Sequence, residues 1–345
     1  MGYPSVERRR VLAAAALGRE SGVPGPDPAN GEPLRAVAGE ILDVSPHLII
    51  IETPGGTEER LVIAPWATAW HGADVAPSDL PVGSMVMMRA LRDGRVIERI
   101  WADTTRITGT ILSISGRKEL TVELDCGPHR GHRTIVIPYR ATGRLQVRHP
   151  KFEPGYLFDA IGIRRDGAGE ALLPATSQPP YPARAVPEPP PAYAAIQSRI
   201  SGPATWSDTF DEEERGAAYP MLERSDTGCP EAGLSCAGLP YLAVGSLLQI
   251  RNLCSNRSAN VPVVACGCLA GRFCDRCVEC DTSPRGRIAE LSPFSYVELG
   301  GDLVKGASTL RSDWGDACAG LADPAPDRAA RHGHGGQGDH GALRR

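Results

Sequence analysis

The first half of the chain repeats one order of segments, and this internal repeat limits the folds open to it. "GEILDVS" at 39–45 recurs as "GTILSIS" at 109–115, and "LVIAPWATAW" at 61–70 recurs as "IVIPYRATGR" at 135–144. A looser third pair is "LPVGSMVMMRALRDG" at 80–94 and "FEPGYLFDAIGIRRDG" at 152–167. The pairs keep their order at an offset of about 70 residues, which is too long for a solenoid unit and fits a small domain present twice.

Each copy has the pattern of short strands joined by turns. In the first, "HLIIIET" and "RLVIAPW" flank the turn "PGGTE", and "VGSMVMMRAL" and "RVIERIWA" flank "RDG", where Asp-Gly favours a tight hairpin. The 345 residues include 39 Gly and 31 Pro, which long helices tolerate poorly. We therefore predict an all-β chain whose residues 35–103 and 104–173 form two small closed barrels of the OB or SH3-like kind.

The segments around these barrels have other compositions. Residues 1–34 contain "ERRRVLAAAALGRES", which fits either a short export signal or a short N-terminal helix. Residues 174–200 are rich in Pro and are predicted to be an extended linker that holds two parts of the protein apart. Residues 315–345 have almost no large apolar side chain and are predicted to be a disordered tail.

Charge and hydropathy argue against nucleic-acid binding and against a membrane-spanning helix. The chain has 37 Lys and Arg against 41 Asp and Glu, a net charge of -4, so it lacks the basic surface typical of nucleic-acid binding. No stretch approaches the roughly 20 apolar residues of a membrane helix. We expect neither a nucleic-acid partner nor a transmembrane segment.

Residues 201–314 read as strand, strand, long loop, short strand, helix and strand. Ser292 is a good helix N-cap, Pro293 suits the first helical position, and Gly300 suits the C-terminal cap. The segment "GSLLQIRN" at 245–252 resembles the "GTxVxVTN" strand of double-psi β-barrel proteins, the group of rare lipoprotein A, expansins and barwin-like proteins. "RIAELS" at 287–292 and "LG" at 299–300 resemble that group's "RxIDLS…LG" segment.

The resemblance covers about residues 215–310 and also includes "GAAYPMLERSDTGC" at 216–229, which is similar to the group's opening strand and loop. It implies a Cys-rich double-psi β-barrel with one short helix. Members of the group carry a polysaccharide-binding groove, and some cut peptidoglycan, some loosen cellulose without hydrolysis and some only bind. Carried over to this sequence, the groove would be lined by Asn252, Arg287 and Ser292.

The same resemblance implies two candidate catalytic acids. Glu290 stands at the Asp of the "IDLS" segment, and Asp226 lies where some relatives have a second acid. Members that cut glycan have "DRGP" after the second strand, whereas this chain has "ACGCLAG" at 265–271, so one expected acid is missing. A Glu290 and Asp226 pair would support acid catalysis if one carboxyl had a raised pKa. The alternative for Glu290 is a groove-lining or surface residue at the start of a helix, where a negative charge is favoured.

Ten cysteines are present, and eight of them fall in this third part. An even number suits four disulfides in an exported domain. A zinc site is the first alternative, because "CDRC" has knuckle spacing, although the second CxxC of a zinc ribbon is missing. A redox-active CxxC is the second alternative. We expect disulfides and neither a metal nor another cofactor; the candidates are Cys229, Cys236, Cys254, Cys266, Cys268, Cys274, Cys277 and Cys280.

These observations predict an extracellular or cell-envelope protein that binds or remodels polysaccharide, peptidoglycan above all. One alternative is a peptidoglycan lytic transglycosylase that uses Glu290. Another is a structural protein of a surface or phage-like assembly, in which the repeated barrels bind a protein partner.

Overall fold

Three closed β-barrels follow one another in the computed structural model, which describes residues 34–91, 94–127, 130–165, 167–184, 199–211, 213–222, 239–267 and 287–313. The predicted fold class is confirmed: the chain is built mainly from strands, and the strands close into barrels. The segment predicted as an export signal and the tail predicted to be disordered lie outside the described residues.

The first barrel has five strands in a ring and one short added strand. The strands are β1 (Arg35–Val44), β2 (Leu48–Glu52), β3 (Glu58–Trp70), β4 (Asp74–Val75), β5 (Met85–Ala90) and β6 (Val96–Ala102), with a 3-10 turn at Pro77–Asp79. Going round the ring, β1 pairs with β2, β2 with β3, β3 with β6, β6 with β5 and β5 with β1. Only the β3 and β6 pair is parallel.

The second barrel has the same strand order, as the sequence repeat predicts. Its ring runs β7, β8, β9, β11, β10 and back to β7, and it too is closed by one parallel pair, β9 with β11. Five antiparallel strands closed by one parallel pair are the arrangement of OB barrels. The elements are β7 (Thr104–Gly116), β8 (Leu120–Asp125), β9 (His132–Ile137), α1 (Tyr139–Arg148), β10 (Leu157–Arg165) and β11 (Ala168–Pro174).

In each of the first two barrels, one glycine explains why the first strand can coil. A Cβ at Gly39 would lie 2.5 Å from the carbonyl oxygen of Glu52, and a Cβ at Gly109 would lie 2.8 Å from that of Asp125. Side chains do not fit at such distances, so only glycine lets the first strand approach the second so closely. In both strands the pairing register shifts two to four residues later, which bends the strand further.

The two copies differ after their third strand. In the first copy β3 continues to Trp70, whereas in the second the aligned residues form the helix α1. The alignment of "IVIPYRATGR" with "LVIAPWATAW" treated these segments as equivalent and missed the helix. Ala141 and Leu145, four residues apart, lie on one face of α1 and are buried, and the helix packs against β11.

The third barrel is a six-stranded ring. Its elements are β12 (Arg199–Trp206), β13 (Ala217–Tyr219), β14 (Leu247–Asn252), β15 (Arg257–Cys266), β16 (Ala289–Leu291), α2 (Pro293–Glu298) and β17 (Ala307–Asp313). The strands follow one another round the ring in the order β12, β16, β13, β15, β14, β17. Two pairs are parallel, β12 with β16 and β13 with β15. Its double-psi relationship stays a prediction.

The short helix α2 begins and ends as the sequence indicates. Ser292 Oγ accepts a hydrogen bond from the Ser295 amide at 3.1 Å, and Pro293 is the first helical residue. Gly300 follows the helix with a φ of 80°. Within the described residues, neither helix has the length and apolar content needed to cross a membrane.

The third barrel packs directly against the other two. One cluster of buried apolar side chains includes Trp101 of the first barrel, Ile163 of the second and Trp206 of the third. Helix α2 contacts β1 and β5 of the first barrel. The cluster of the third barrel therefore extends to side chains of the other two barrels, while the interiors of the first and second barrels form clusters of their own.

The start of the Pro-rich segment belongs to this packed structure. Gln178 donates to the carbonyl oxygens of Leu157 at 2.8 Å and Lys151 at 2.9 Å, and Ala175 and Ala183 are buried. The expectation that this segment holds the third barrel apart from the rest is wrong, because apolar surface on all three barrels is buried by their contact. Residues 185–198 lie outside the described part.

Candidate functional site

Glu290 lies on β16 where the second and third barrels meet, and it is 1% exposed. Its Oε2 accepts from Arg130 Nη2 at 3.1 Å, and its Oε1 accepts from Arg287 Nη1 at 3.4 Å. Both carboxylate oxygens therefore face guanidinium groups of the protein. A general acid must reach the leaving oxygen of its substrate, and in this conformation a glycosidic oxygen cannot reach Glu290.

Arg287 does not line an open groove, because the second barrel covers it. It is 1% exposed, and its Nη2 donates to Asp159 Oδ2 and, at 2.9 Å, to Thr176 Oγ1. Both acceptors belong to the second barrel and the segment that follows it. The sequence resemblance describes one barrel alone and contains no information about this cover.

Asp159 on β10 is the centre of the buried cluster. Arg106 binds it with two hydrogen bonds, Nε to Oδ1 at 3.0 Å and Nη2 to Oδ2 at 2.7 Å. Thr108 Oγ1 donates to Oδ1 at 2.9 Å, and Thr176 Oγ1 donates to Oδ2. Together with Arg287, five hydrogen bonds converge on one carboxylate that is 1% exposed.

The charge state of Asp159 follows from these contacts. Burial by itself raises the pKa of this carboxyl, but the charges of Arg106 and Arg287 and the hydrogen bonds from Arg106 and Thr176 outweigh it. They hold the pKa of Asp159 well below its usual range. The cluster is therefore a network of ion pairs that joins the second and third barrels. It includes Arg287 and Glu290, two of the charged residues that the sequence assigned to the polysaccharide site.

Asn252 and Ser292, also predicted to line the groove, hold local structure together. Asn252 is 1% exposed; its Nδ2 donates to the Leu299 carbonyl oxygen at 2.9 Å, and its Oδ1 accepts from the Cys254 amide at 2.9 Å. Ser292 is fully buried, caps α2, and its amide donates to the Gly216 carbonyl oxygen at 2.9 Å. Asn252 thus joins the β14 turn to the end of α2, and neither side chain faces solvent.

The cysteine and Asp226 predictions fall largely outside the described residues. Asp226, Cys229, Cys236, Cys268, Cys274, Cys277 and Cys280 all lie there, and Cys266 ends β15. Cys254 is an exposed free thiol in this structure. Within the described ranges no disulfide is present and no group of His, Cys, Asp and Glu could hold a metal ion. The remaining cross-links stay a prediction.

A pocket of about 240 Å³ opens where all three barrels meet. Its floor and walls are apolar and come from β5 and β6 of the first barrel and from β12, the following turn and the segment after α2 of the third. The side chains that form them include Met85, Met87, Trp101, Trp206, Phe210 and Leu303.

The two tryptophans of the pocket use their only polar group elsewhere. Trp101 Nε1 donates to Asp302 Oδ1 at 3.0 Å, and Trp206 Nε1 donates to the Leu303 carbonyl oxygen at 3.0 Å. Each indole N–H is therefore satisfied inside the protein and is not available to a ligand. Both residues are 1% exposed and belong to the packed core, so the accessible apolar surface of the pocket comes from partly exposed side chains such as Met85, Met87 and Phe210.

Polar groups gather at the rim of the pocket, namely Asp103, Thr104, Arg164 and Asp208. Asp208 Oδ2 accepts from Thr105 Oγ1 and lies 3.4 Å from Arg133 Nη1 and 3.8 Å from Arg164 Nη2. The Arg164 side chain is 50% exposed. The rim thus combines fixed carboxylate acceptors with a guanidinium whose donors are only loosely engaged.

Asp103 joins the first two barrels and is held on all sides. Its backbone has a φ of 49°, which is unusual for a residue other than glycine. Its Oδ1 accepts from the Met85 amide at 3.0 Å, its Oδ2 lies 3.2 Å from His71 Nε2, and its carbonyl oxygen accepts from the Arg164 amide at 2.7 Å. Strained backbone of this kind is common at binding sites.

Sequence reasoning missed this pocket. Its residues come from separate segments of all three barrels, and no motif connects them. The one available signal was that tryptophan is rare here, with five in the chain. Trp70, Trp101 and Trp206 lie at or beside the ends of their strands, and two of these three line the pocket.

Comparison with known proteins adds no assignment. No family model matches the chain, and no curated protein matches it.

Proposed function

We propose that this protein binds cell-envelope polysaccharide, peptidoglycan first, and does not cut it. The observation that carries the second part is the position of Glu290, closed between Arg130 and Arg287. The first part is supported by the two sequence motifs, which lie on β14 and on β16 with α2 and so belong to one barrel.

Cleavage of a glycan chain by general acid catalysis needs a carboxyl group beside the scissile bond. Glu290 is the residue that the resemblance puts in that role, and its two oxygens are occupied by internal ion pairs. The segment "ACGCLAG" also replaces the "DRGP" of cutting relatives. A barrel whose candidate acid is out of reach of a substrate fits a binding role.

The proposal includes a location at the cell envelope or outside the cell, since peptidoglycan is found there. Fractionation of cells that express the full chain with a C-terminal tag tests this part. Recovery of the protein in the envelope or medium supports it, and recovery in the cytoplasm alone contradicts it.

Incubation of the full-length protein with purified peptidoglycan sacculi tests binding and cleavage together. We expect the wild type and Glu290→Gln to co-sediment equally with sacculi and to release no anhydro-muropeptides, measured by mass spectrometry. Circular dichroism confirms that the variant is folded. Failure of the wild type to co-sediment refutes binding, whereas anhydro-muropeptides that disappear in Glu290→Gln would establish the lytic transglycosylase instead.

A further inference from the structure

We infer that the pocket at the junction of the three barrels binds one neutral, hydroxyl-rich sugar ring. This inference rests on the proposed function and deepens it, because it moves the binding site away from the groove implied by the sequence resemblance and names the chemical class of the ligand.

The wall of the pocket suits the carbon face of a ring. Met85, Met87 and Phe210 are partly exposed side chains of this wall, whereas Trp206 and Leu303, which also line it, are almost fully buried, and the indole N–H of Trp206 donates within the protein. A sugar ring has C–H groups on its faces and hydroxyl groups around its edge. The apolar wall can contact the face while the edge remains directed to the rim.

A cationic ligand fits the pocket less well than a neutral one. Cations bind aromatic sites over the face of a ring, and Trp101 is the pocket aromatic that already has cationic neighbours. The guanidinium of Arg99 lies 5.6 Å from its ring centre, and that of Arg89 lies 5.9 Å from it. A ligand cation cannot reach this ring, because Trp101 is 1% exposed and both guanidinium groups already lie beside it.

The rim provides both donors and acceptors. Asp103 and Asp208 are acceptors and Arg164 brings donors, while Thr104 Oγ1 donates to the Ala102 carbonyl oxygen at 3.3 Å and can accept from a ligand. A hydroxyl group both donates and accepts, so it can bond to either kind of neighbour. An anion would face two carboxylates, whereas a ring with several hydroxyls is compatible with all four side chains.

The size of the pocket limits the ligand to one ring. Its volume of about 240 Å³ is below the roughly 300–1,000 Å³ of sites for drug-sized ligands. A glycan chain would therefore place a single terminal ring or ring substituent in the pocket and run outward over the surface.

The chain offers a matched pair of variants for testing this site. Arg164 and Arg165 are neighbours on β10, so their side chains point to opposite sides of the strand. Arg164 lies at the pocket, whereas Arg165 pairs with Glu170 at 3.3 Å. Both side chains are at least half exposed, at 50% and 64%, and either can be shortened without opening a cavity in the core.

The experiment measures binding of N-acetylglucosamine by saturation-transfer NMR with the full-length wild type, Arg164→Ala, Phe210→Ala and Arg165→Ala. Tetramethylammonium and acetate are run as cationic and anionic competitors. We expect about tenfold weaker binding in Arg164→Ala, as for loss of a charged hydrogen-bond donor, and a change below about twofold in Arg165→Ala. Neither competitor should displace the sugar.

The outcomes separate this inference from the proposed function. Equal sugar binding by Arg164→Ala, Phe210→Ala and Arg165→Ala overturns the pocket assignment, and sacculi that still co-sediment with the wild type leave the proposed function intact. Displacement of the sugar by tetramethylammonium or acetate overturns the ligand class. Sugar binding that both pocket variants weaken supports the assignment, even if sacculi fail to bind and peptidoglycan is refuted.

Discussion

Asp159→Asn tests whether the buried ion cluster joins the second and third barrels. The carboxylate accepts three hydrogen bonds from Arg106 and Arg287 and two from threonines. Asparagine has the same shape but no charge, and its amide group turns two donors toward the arginine donors. Breaking a buried ion pair by removing one partner costs about 3–5 kcal/mol of folding free energy, because a charge is left buried without compensation.

Thermal and urea unfolding at pH 7 measure this loss. For a domain larger than 150 residues each kcal/mol changes Tm by roughly 2–4 °C, so we expect Asp159→Asn to lower Tm by about 6–20 °C. Asp43→Asn is the control, because Asp43 is exposed and makes only a local contact with the Val44 amide. Its effect should stay within about 0.5 kcal/mol.

The pH dependence gives an independent check. The folded pKa of Asp159 lies below the unfolded value of about 3.9, so its carboxylate contributes fully at neutral pH and loses that contribution as pH falls below about 4. The stability gap between wild type and Asp159→Asn should therefore shrink in acid. A gap under about 1 kcal/mol relative to Asp43→Asn at pH 7, or one that grows in acid, would refute the reasoning.

Two further predictions concern the first two barrels. Gly109→Ala should destabilise the protein by about 1–3 kcal/mol in urea unfolding, since its Cβ would meet the Asp125 carbonyl oxygen at 2.8 Å. Gly143→Ala, in helix α1 with open space around the Cβ, should stabilise by about 0.5–1 kcal/mol; equal effects would contradict the argument. Burial lowers the pKa of His149 despite its hydrogen bond to the Leu145 carbonyl oxygen, so stability should fall as pH drops below about 6.5. Between pH 8 and pH 5 the urea unfolding midpoint should depend less on pH in His149→Gln than in the wild type. In His132→Gln, whose ring is exposed, the pH dependence should stay that of the wild type. Equal pH dependence in the two variants would show that His149 is not its cause.

The buried cluster suggests why the third barrel departs from the group that it resembles. Arg287 and Glu290 stand in positions that the resemblance assigns to a binding groove, but here they hold the second barrel. A surface used for packing is not open to a ligand. The open concave site described here is instead the junction pocket, which exists only while all three barrels are docked.

Local features of the fold could be predicted because their causes are local. The strands of the repeat follow from alternating apolar residues and Gly-rich turns, and α2 follows from Ser292, Pro293 and Gly300. The helix α1 was missed because "PYRATGR" and "PWATAW" look alike as strings. What separates them is the burial of Ala141 and Leu145 on one helical face, which depends on the packing of α1 against β11.

The sequence by itself determined an all-β chain with a repeated barrel and a third, different barrel, because period, turns and caps act over a few residues. Only the tertiary structure decided whether the predicted site residues are open to a ligand. Arg287 and Asp159 are 128 positions apart, and the local sequence around either residue does not predict that they are in contact. Docking of one barrel onto another converted the predicted acid and groove arginine into an internal ion network, and it created the junction pocket from side chains that no motif connects.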